Sequence, residues 1–241
     1  MLNVAARAVD GAMIRFRFRD RADAGHQLGE RLRDAQLADP VVLALPRGGV
    51  PVALEVAKIL NVPFEVFVAR KIGAPGHPEY GIGAIAEGDS VIADEYALHA
   101  LDISPEQFSA LVAIERTEVQ RRVELYRRRR DLPKLADRDV IVVDDGLATG
   151  VTAEAALHTL RAGEPHRLLL AVPACAPDTA HRLRGIADDV VCVIAPAEFS
   201  AVGYWYTNFD QTSDDDVRNL LQQGTNQATT NPMTTGDKPS P

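Results

Sequence analysis

Residues 139–152 read "DVIVVDDGLATGVT", and the order of residue types in this stretch decides the fold. An apolar run from Val140 to Val143 stops at two adjacent aspartates, Asp144 and Asp145. Glycines at 146 and 150 and threonines at 149 and 152 follow, and then helix-forming sequence. An unbroken apolar run suits a strand covered on both faces, as in a parallel sheet. Two carboxylates at the tip of such a strand repel each other and lose hydration, so they need a compensating partner. The glycines let the backbone curl so that successive N–H groups point inward. The threonines add hydroxyl donors, and the following helix presents its positive end. Together these features make a nest for one phosphate group. The carboxylates would repel a phosphate and must face something else; ribose hydroxyls or a magnesium ion meet that need.

The same alternation runs outward in both directions. Residues 21–35 carry helical spacing, 40–46 ("PVVLALP") form an apolar strand, and 47–60 turn on two glycines into a helix. Residues 63–72 read as one more strand, giving the β–helix–β unit of a parallel sheet. The segment 73–89 breaks the rhythm with five glycines and two prolines and reads as a mobile excursion. A long helix is predicted over 104–133, with Ser104 as its N-cap and Pro105 in its first turn. After the 139–152 turn come a helix, a strand at 167–175, a helix and a strand at 189–196. Residues 197–221 concentrate aromatics and end in a short helix capped by Thr212 or Ser213. The expected fold is therefore α/β: one domain over 13–221, a central mostly parallel sheet flanked by helices, with a loose extension at 1–12. Residues 222–241 have almost nothing to bury and are expected to be disordered.

Bulk composition excludes several classes. The net charge of -8 argues against binding nucleic acid by general phosphate attraction. No apolar run approaches the roughly 20 residues that span a bilayer. The N-terminus lacks the apolar core of a secretory signal, so a cytoplasmic location is expected. Cys175 and Cys192 show no metal-ligand spacing and read as buried reduced thiols. No histidine has a partner at ligand spacing. The glycine fingerprint of dinucleotide-binding folds, the Walker A loop, GxSxG and HExxH are all absent.

The run of four hydrophobic residues, two acids and a Gly/Thr loop resembles the signature of the type I phosphoribosyltransferases. The resemblance implies a fold with a flexible loop and a C-terminal hood, and Mg2+-dependent transfer of ribose 5-phosphate from phosphoribosyl pyrophosphate (PRPP) to a nitrogenous base. It implies that Asp144 and Asp145 bind the ribose hydroxyls and lie beside the metal, which sits largely on PRPP and water. Ala148, Thr149, Gly150, Val151 and Thr152 would cradle the 5′-phosphate. "LPRGG" at 45–49 resembles the loop that wraps the pyrophosphate, with Arg47 as a forked donor and Gly48 and Gly49 admitting backbone N–H groups. Arg70 and Lys71 stand where the family's closing loop begins and would reach the same pyrophosphate. Asp144, Asp145, Arg47 and Lys71 are thus the implied catalytic set. The whole pattern is similar to a bacterial phosphoribosyltransferase group that combines "LPRGG" with "VDDGxATG".

The acceptor stays open. "EFSAVGYWYTNF" (198–209), with the first helix, is the candidate hood. Phe199, Tyr204, Trp205 and Tyr206 could stack on a base or pack the segment onto the core. Asn208 stands roughly where related enzymes carry an acid, and Ala148 replaces the aspartate that assists at the base in some purine enzymes. Nucleotide salvage by a homodimer is the expectation. A non-catalytic PRPP- or nucleotide-binding regulator of the same fold is the alternative, and a transferase with an unusual acceptor a third. "RRVELYRRRR" (121–130) reads as a solvated helix face or subunit contact rather than a nucleic-acid site.

Overall fold

The computed structural model describes residues 16–128 and 130–230. The expected extension at 1–12 and everything after 230 lie outside the described residues. Five strands form one parallel sheet: β1 (Val41–Ala44), β2 (Phe64–Val66), β6 (Asp139–Val143), β7 (Arg167–Ala174) and β8 (Asp189–Ile194), in the order β2-β1-β6-β7-β8. Their continuous apolar runs reflect burial on both faces. Val140 and Val142 of β6 face one core, while Ile141 and Val143 face the other, as alternation along a strand requires. Helices α1 (Arg21–Arg33), α2 (Gly49–Leu60), α4 (Pro105–Arg127) and α7 (Asp214–Thr230) supply apolar residues to the core that holds Ile141, and α5 (Val151–Arg161) and α6 (Pro177–Leu183) to the other. Filling each such position with a buried Val or Leu is worth roughly 1.5–3 kcal/mol.

Three predictions give way to the structure. The run at 63–72 is not one strand. The chain leaves the parallel sheet at Phe67 and starts a second, antiparallel sheet of β3 (Ala69–Ala74), β4 (His77–Ala86) and β5 (Ser90–Ala93). The segment expected to be an irregular, mobile excursion is therefore paired as a hairpin of this second sheet. Its glycines serve close packing: a Cβ on Gly83 would lie 2.5 Å from the Ile92 carbonyl oxygen. Pro75 and Gly76 make the tight turn, with Gly76 at φ +74. Finally, the helix expected to stop near 221 continues as α7 to Thr230. Val217 and Leu221 are buried at helical spacing, and Gly224 closes against Phe64. Of the two proposed caps Ser213 is the one used, exchanging hydrogen bonds with Asp216.

α4 follows its predicted start, with Ser104 and Gln107 forming a reciprocal capping box. A short helix, α3 (Glu95–Ala100), precedes it. Val112, Val119 and Tyr126 bury a single stripe at seven-residue spacing. Four arginines at or just beyond the end of α4 are engaged by carboxylates of the same chain. Arg121 and Arg122 pair with Glu118, Arg127 pairs with Glu87, and Arg130 pairs with Glu65.

The Glu87–Arg127 pair is about nine-tenths buried on both sides. Burial raises the Glu87 carboxyl to about 7; the Arg127 charge offsets part of that, and the negative charge of Glu65 adds to it. The fold thus favours protonated Glu87. This contribution is complete below the ordinary value of 4.5 and is lost as pH rises to about 7. Glu87→Gln removes that loss. Relative to the parent, its unfolding free energy should improve by about 3 kcal/mol between pH 4.5 and pH 7.5. Urea denaturation at both pH values measures this difference, and parallel pH profiles would refute it.

Candidate functional site

The tip of β6 delivers Asp144 and Asp145 into the crevice beyond the carboxyl ends of the parallel strands, where open α/β sheets place ligands. Asp144 Oδ1 accepts the Asp145 backbone N–H at 2.8 Å. Burial, and next the charge of Asp145, push the Asp144 carboxyl well above the usual range. Burial also raises Asp145, and Arg21 partly counters it. Arg21 Nε donates to Asp145 Oδ2 at 2.9 Å, its Nη1 donates to the Asp210 carbonyl at 2.6 Å, and its guanidinium lies 3.9 Å from the centre of the Phe209 ring. Sequence reasoning missed this residue. Its only local signal is its place at the first position of α1, behind the Asp20 cap.

The loop after the carboxylates is pinned from behind. Leu147 N–H donates to the Ala174 carbonyl and Ala176 N–H donates to the Leu147 carbonyl, both at 2.8 Å. The Thr179 hydroxyl donates to the Ala148 carbonyl at 2.6 Å, and Arg182 donates to the Thr149 carbonyl at 2.7 Å. Two loop carbonyls are thus committed to α6. Gly150 takes φ +74 and starts α5. The first-turn N–H groups at Val151 and Thr152 have no acceptor within the helix and are available to an anion.

Arg47, Gly48 and Gly49 come to the same crevice. The Pro46–Arg47 peptide is cis. A Cβ on Gly48 would stand 2.0 Å from Asp145 Oδ2, and one on Gly49 would stand 2.6 Å from the Val143 carbonyl oxygen. Both glycines are needed simply to let this turn pack against the acidic pair. Arg47 Nη1 is 3.7 Å from Asp214 Oδ1, at the start of α7. Asp214 also accepts from the Tyr126 hydroxyl at 2.5 Å and from Arg121 at 3.1 Å.

The remaining predicted residues are placed differently. Arg70, on β3, is paired with Glu115 and lies 4.0 Å from Glu118, both on α4. The methylenes of Lys71 pass over Gly81. Tyr206 is buried rather than offered to a base, and its hydroxyl donates to the Asp145 carbonyl at 2.5 Å. Phe199 and Trp205 stack at 6.1 Å, with Tyr204 edge-on to Trp205 at 5.8 Å and partly exposed. Val202 packs over Gly146, where a Cβ would come within 2.4 Å of its methyl group. The segment from 205 to 208 runs beside Phe18 and Arg19, joined by backbone hydrogen bonds. The aromatic strap and the start of α1 therefore stand together beside the acidic turn.

Residues 21–207 match the family model described as the phosphoribosyl transferase domain. The chain belongs to the phosphoribosyl transferase family. Two strains of Mycobacterium tuberculosis, CDC 1551 and H37Rv, each have a relative named provisionally as a phosphoribosyl transferase, 45% identical over 206 residues. The match covers 86% of this chain and 46% of those proteins, so the chain spans about half their length. The crystal structure of a Thermus thermophilus protein is 42% identical, with a TM-score of 0.73, over 86% of this chain and 99% of that one.

Gly49→Ala tests the packing of the site. The added methyl meets main chain, which cannot rotate away, so a loss of about 1–3 kcal/mol in denaturant unfolding is expected. Unchanged stability would show that the turn is loose.

Proposed function

We propose that this protein transfers ribose 5-phosphate from PRPP to a nucleobase, in nucleotide salvage. The observation that carries the reading is the half-buried pair Asp144–Asp145 joined within one turn to the Gly150–Thr152 helix start. One end of that turn accepts hydrogen bonds and the other donates them, which matches the hydroxyl and phosphate faces of a single sugar phosphate.

Each residue then has a task. Asp144 and Asp145 accept from the 2′- and 3′-hydroxyls. Thr149, Gly150, Val151 and Thr152 give N–H and hydroxyl donors to the 5′-phosphate. Arg47 meets the charge that builds on the departing pyrophosphate. Arg21 holds Asp145 in place through its hydrogen bond and partly offsets the burial that opposes its charge. In the reaction the bond from C1 to the pyrophosphate oxygen breaks, the bond from C1 to a ring nitrogen forms, and that nitrogen loses its proton. Holding both ends of the donor and excluding water is the main catalytic work. Among the described residues no group of three His, Cys, Asp or Glu could cage a metal. The donor set fits a magnesium ion that touches one or two carboxylates and otherwise substrate oxygens and water. When bound it would neutralise charge on the pyrophosphate.

Asp144→Asn/Asp145→Asn should abolish PRPP binding in calorimetry with magnesium, a loss of at least about a hundredfold for two charge-assisted acceptors. Retained affinity would sink the reading. Pyrophosphate release with PRPP, magnesium and a panel of bases tests transfer itself. Tight PRPP binding with no turnover on any base would favour a sensor of the same fold.

A further inference from the structure

The loop between the acidic pair and α5 presents the carbonyl groups of Leu147, Ala148, Thr149 and Gly150, and every one of them accepts a hydrogen bond. The Leu147 carbonyl accepts from Ala176 N–H and the Gly150 carbonyl from Glu154 N–H, both at 2.8 Å. The two carbonyls between them are held by side chains of α6. The Thr179 hydroxyl donates to Ala148 at 2.6 Å, and Arg182 Nη2 donates to Thr149 at 2.7 Å. Among the described residues, the backbone N–H groups of Ala148, Thr149 and Gly150 donate to no protein acceptor. The loop is therefore polarised: its acceptors are committed and its donors are spare, which is the state an anion-binding nest requires.

Both side chains do more than donate one bond. Thr179 lies in the first turn of α6, yet its hydroxyl goes to a loop 31 residues away. Its methyl group fills the space beside the left-handed Gly150, where an added Cβ would stand 2.6 Å from Thr179 Cγ2. Arg182 also gives its Nη1 to Glu154, the acidic residue in the first turn of α5. Glu154 is two positions beyond Thr152. Left unpaired, its charge would oppose any anion at that helix start.

We propose that Thr179 and Arg182 are positioning residues for the 5′-phosphate of the sugar substrate, an inference that rests on the PRPP reading above. Neither side chain touches the substrate. Thr179 acts through the Ala148 carbonyl. Arg182 acts through the Thr149 carbonyl and by neutralising Glu154. Without them the two carbonyls are free to turn toward the phosphate and repel it. Their influence is confined to the phosphate end of the donor, because Arg47 at the proposed pyrophosphate end is held by Asp214 and not by α6.

The test is calorimetry on the intact protein with magnesium and three probes: PRPP, ribose 5-phosphate and inorganic pyrophosphate. Thr179→Val keeps the shape of the side chain and removes its hydroxyl. It should weaken PRPP and ribose 5-phosphate by about three- to tenfold, the weight of one hydrogen bond, and leave pyrophosphate unchanged. Thr179→Ser keeps the hydroxyl and should recover most of that affinity. Arg182→Gln should show the same selective loss, and adding Glu154→Gln should recover part of it. Two independent sites guard against one variant that does not fold. The proposal is overturned if pyrophosphate weakens equally, or if Thr179→Ser binds as poorly as Thr179→Val, since either result shows only general packing. It is also overturned if Thr179→Val and Arg182→Gln bind all three probes as the parent does. A parent that binds neither PRPP nor ribose 5-phosphate overturns the PRPP reading and this inference with it, so the two failures are told apart.

Discussion

The constraint on which this molecule depends is the half-burial of two adjacent carboxylates at the end of a central strand. Asp144 and Asp145 lie where desolvation and mutual repulsion both oppose charge. The surrounding structure is organised by that cost. Gly48 and Gly49 have no side chains because side chains would displace the pair. Arg21 is brought in from a helix 124 residues away to balance Asp145. Tyr206 fixes the main chain between the two halves of the turn. A fold with no use for the carboxylates could replace them with apolar residues and gain stability. Their retention, with this much supporting structure, is itself an argument that they meet a ligand.

How much of this was legible in sequence depended on the range of the interaction. The parallel sheet was readable because β1, β6 and β7 are apolar on both faces, which no exposed element tolerates. The acidic turn was readable because its parts are contiguous. The hairpin was not. Gly73, Gly81 and Gly83 look like flexibility in the sequence, but their contacts with Pro78, Lys71 and Ile92 show that they mark close approach. The break between β2 and β3 left no trace because "EVFVARKI" is suited to strand throughout. The end of α7 was misplaced because residues 222–241 carry almost nothing apolar to bury, and only the fold shows that Gly224 closes against Phe64.

Long-range partners were the least legible. Nothing near Arg21 announces that it will lie between Asp145 and the ring of Phe209. The same holds for Thr179 and Arg182, whose donors turn the carbonyls of Ala148 and Thr149 away from the crevice. That effect matters chemically. A loop that is to bind an anion, as proposed, must hide its carbonyl oxygens as well as present its N–H groups, and α6 engages two of these carbonyls. A single sequence shows the presenting half, because glycine and threonine are in the loop. It cannot show the other half, which lies some thirty residues away.

The basic residues expected at the pyrophosphate prove unequal for a physical reason. Arg47 and Arg70 belong to one chain of charges: Arg47 faces Asp214, which meets Arg121, which meets Glu118, which faces Arg70. Hydrogen bonds from Arg121 and Arg122 hold the Glu118 carboxyl down at about 2. Hydrogen bonds from Tyr126 and Arg121 outweigh burial at Asp214 and lower it also. Both carboxylates are therefore ionised at neutral pH, yet they hold their arginines differently. Arg47 is 3.7 Å from Asp214 with both side chains about 30% exposed, so the contact is solvated and worth on the order of 1 kcal/mol or less. Arg70 is hydrogen-bonded to Glu115, so turning it inward would take that partner from a carboxylate of α4, while Glu118 keeps Arg121 and Arg122. An incoming anion can therefore recruit Arg47 at small cost, while Arg70 is better suited to fastening the hairpin to α4.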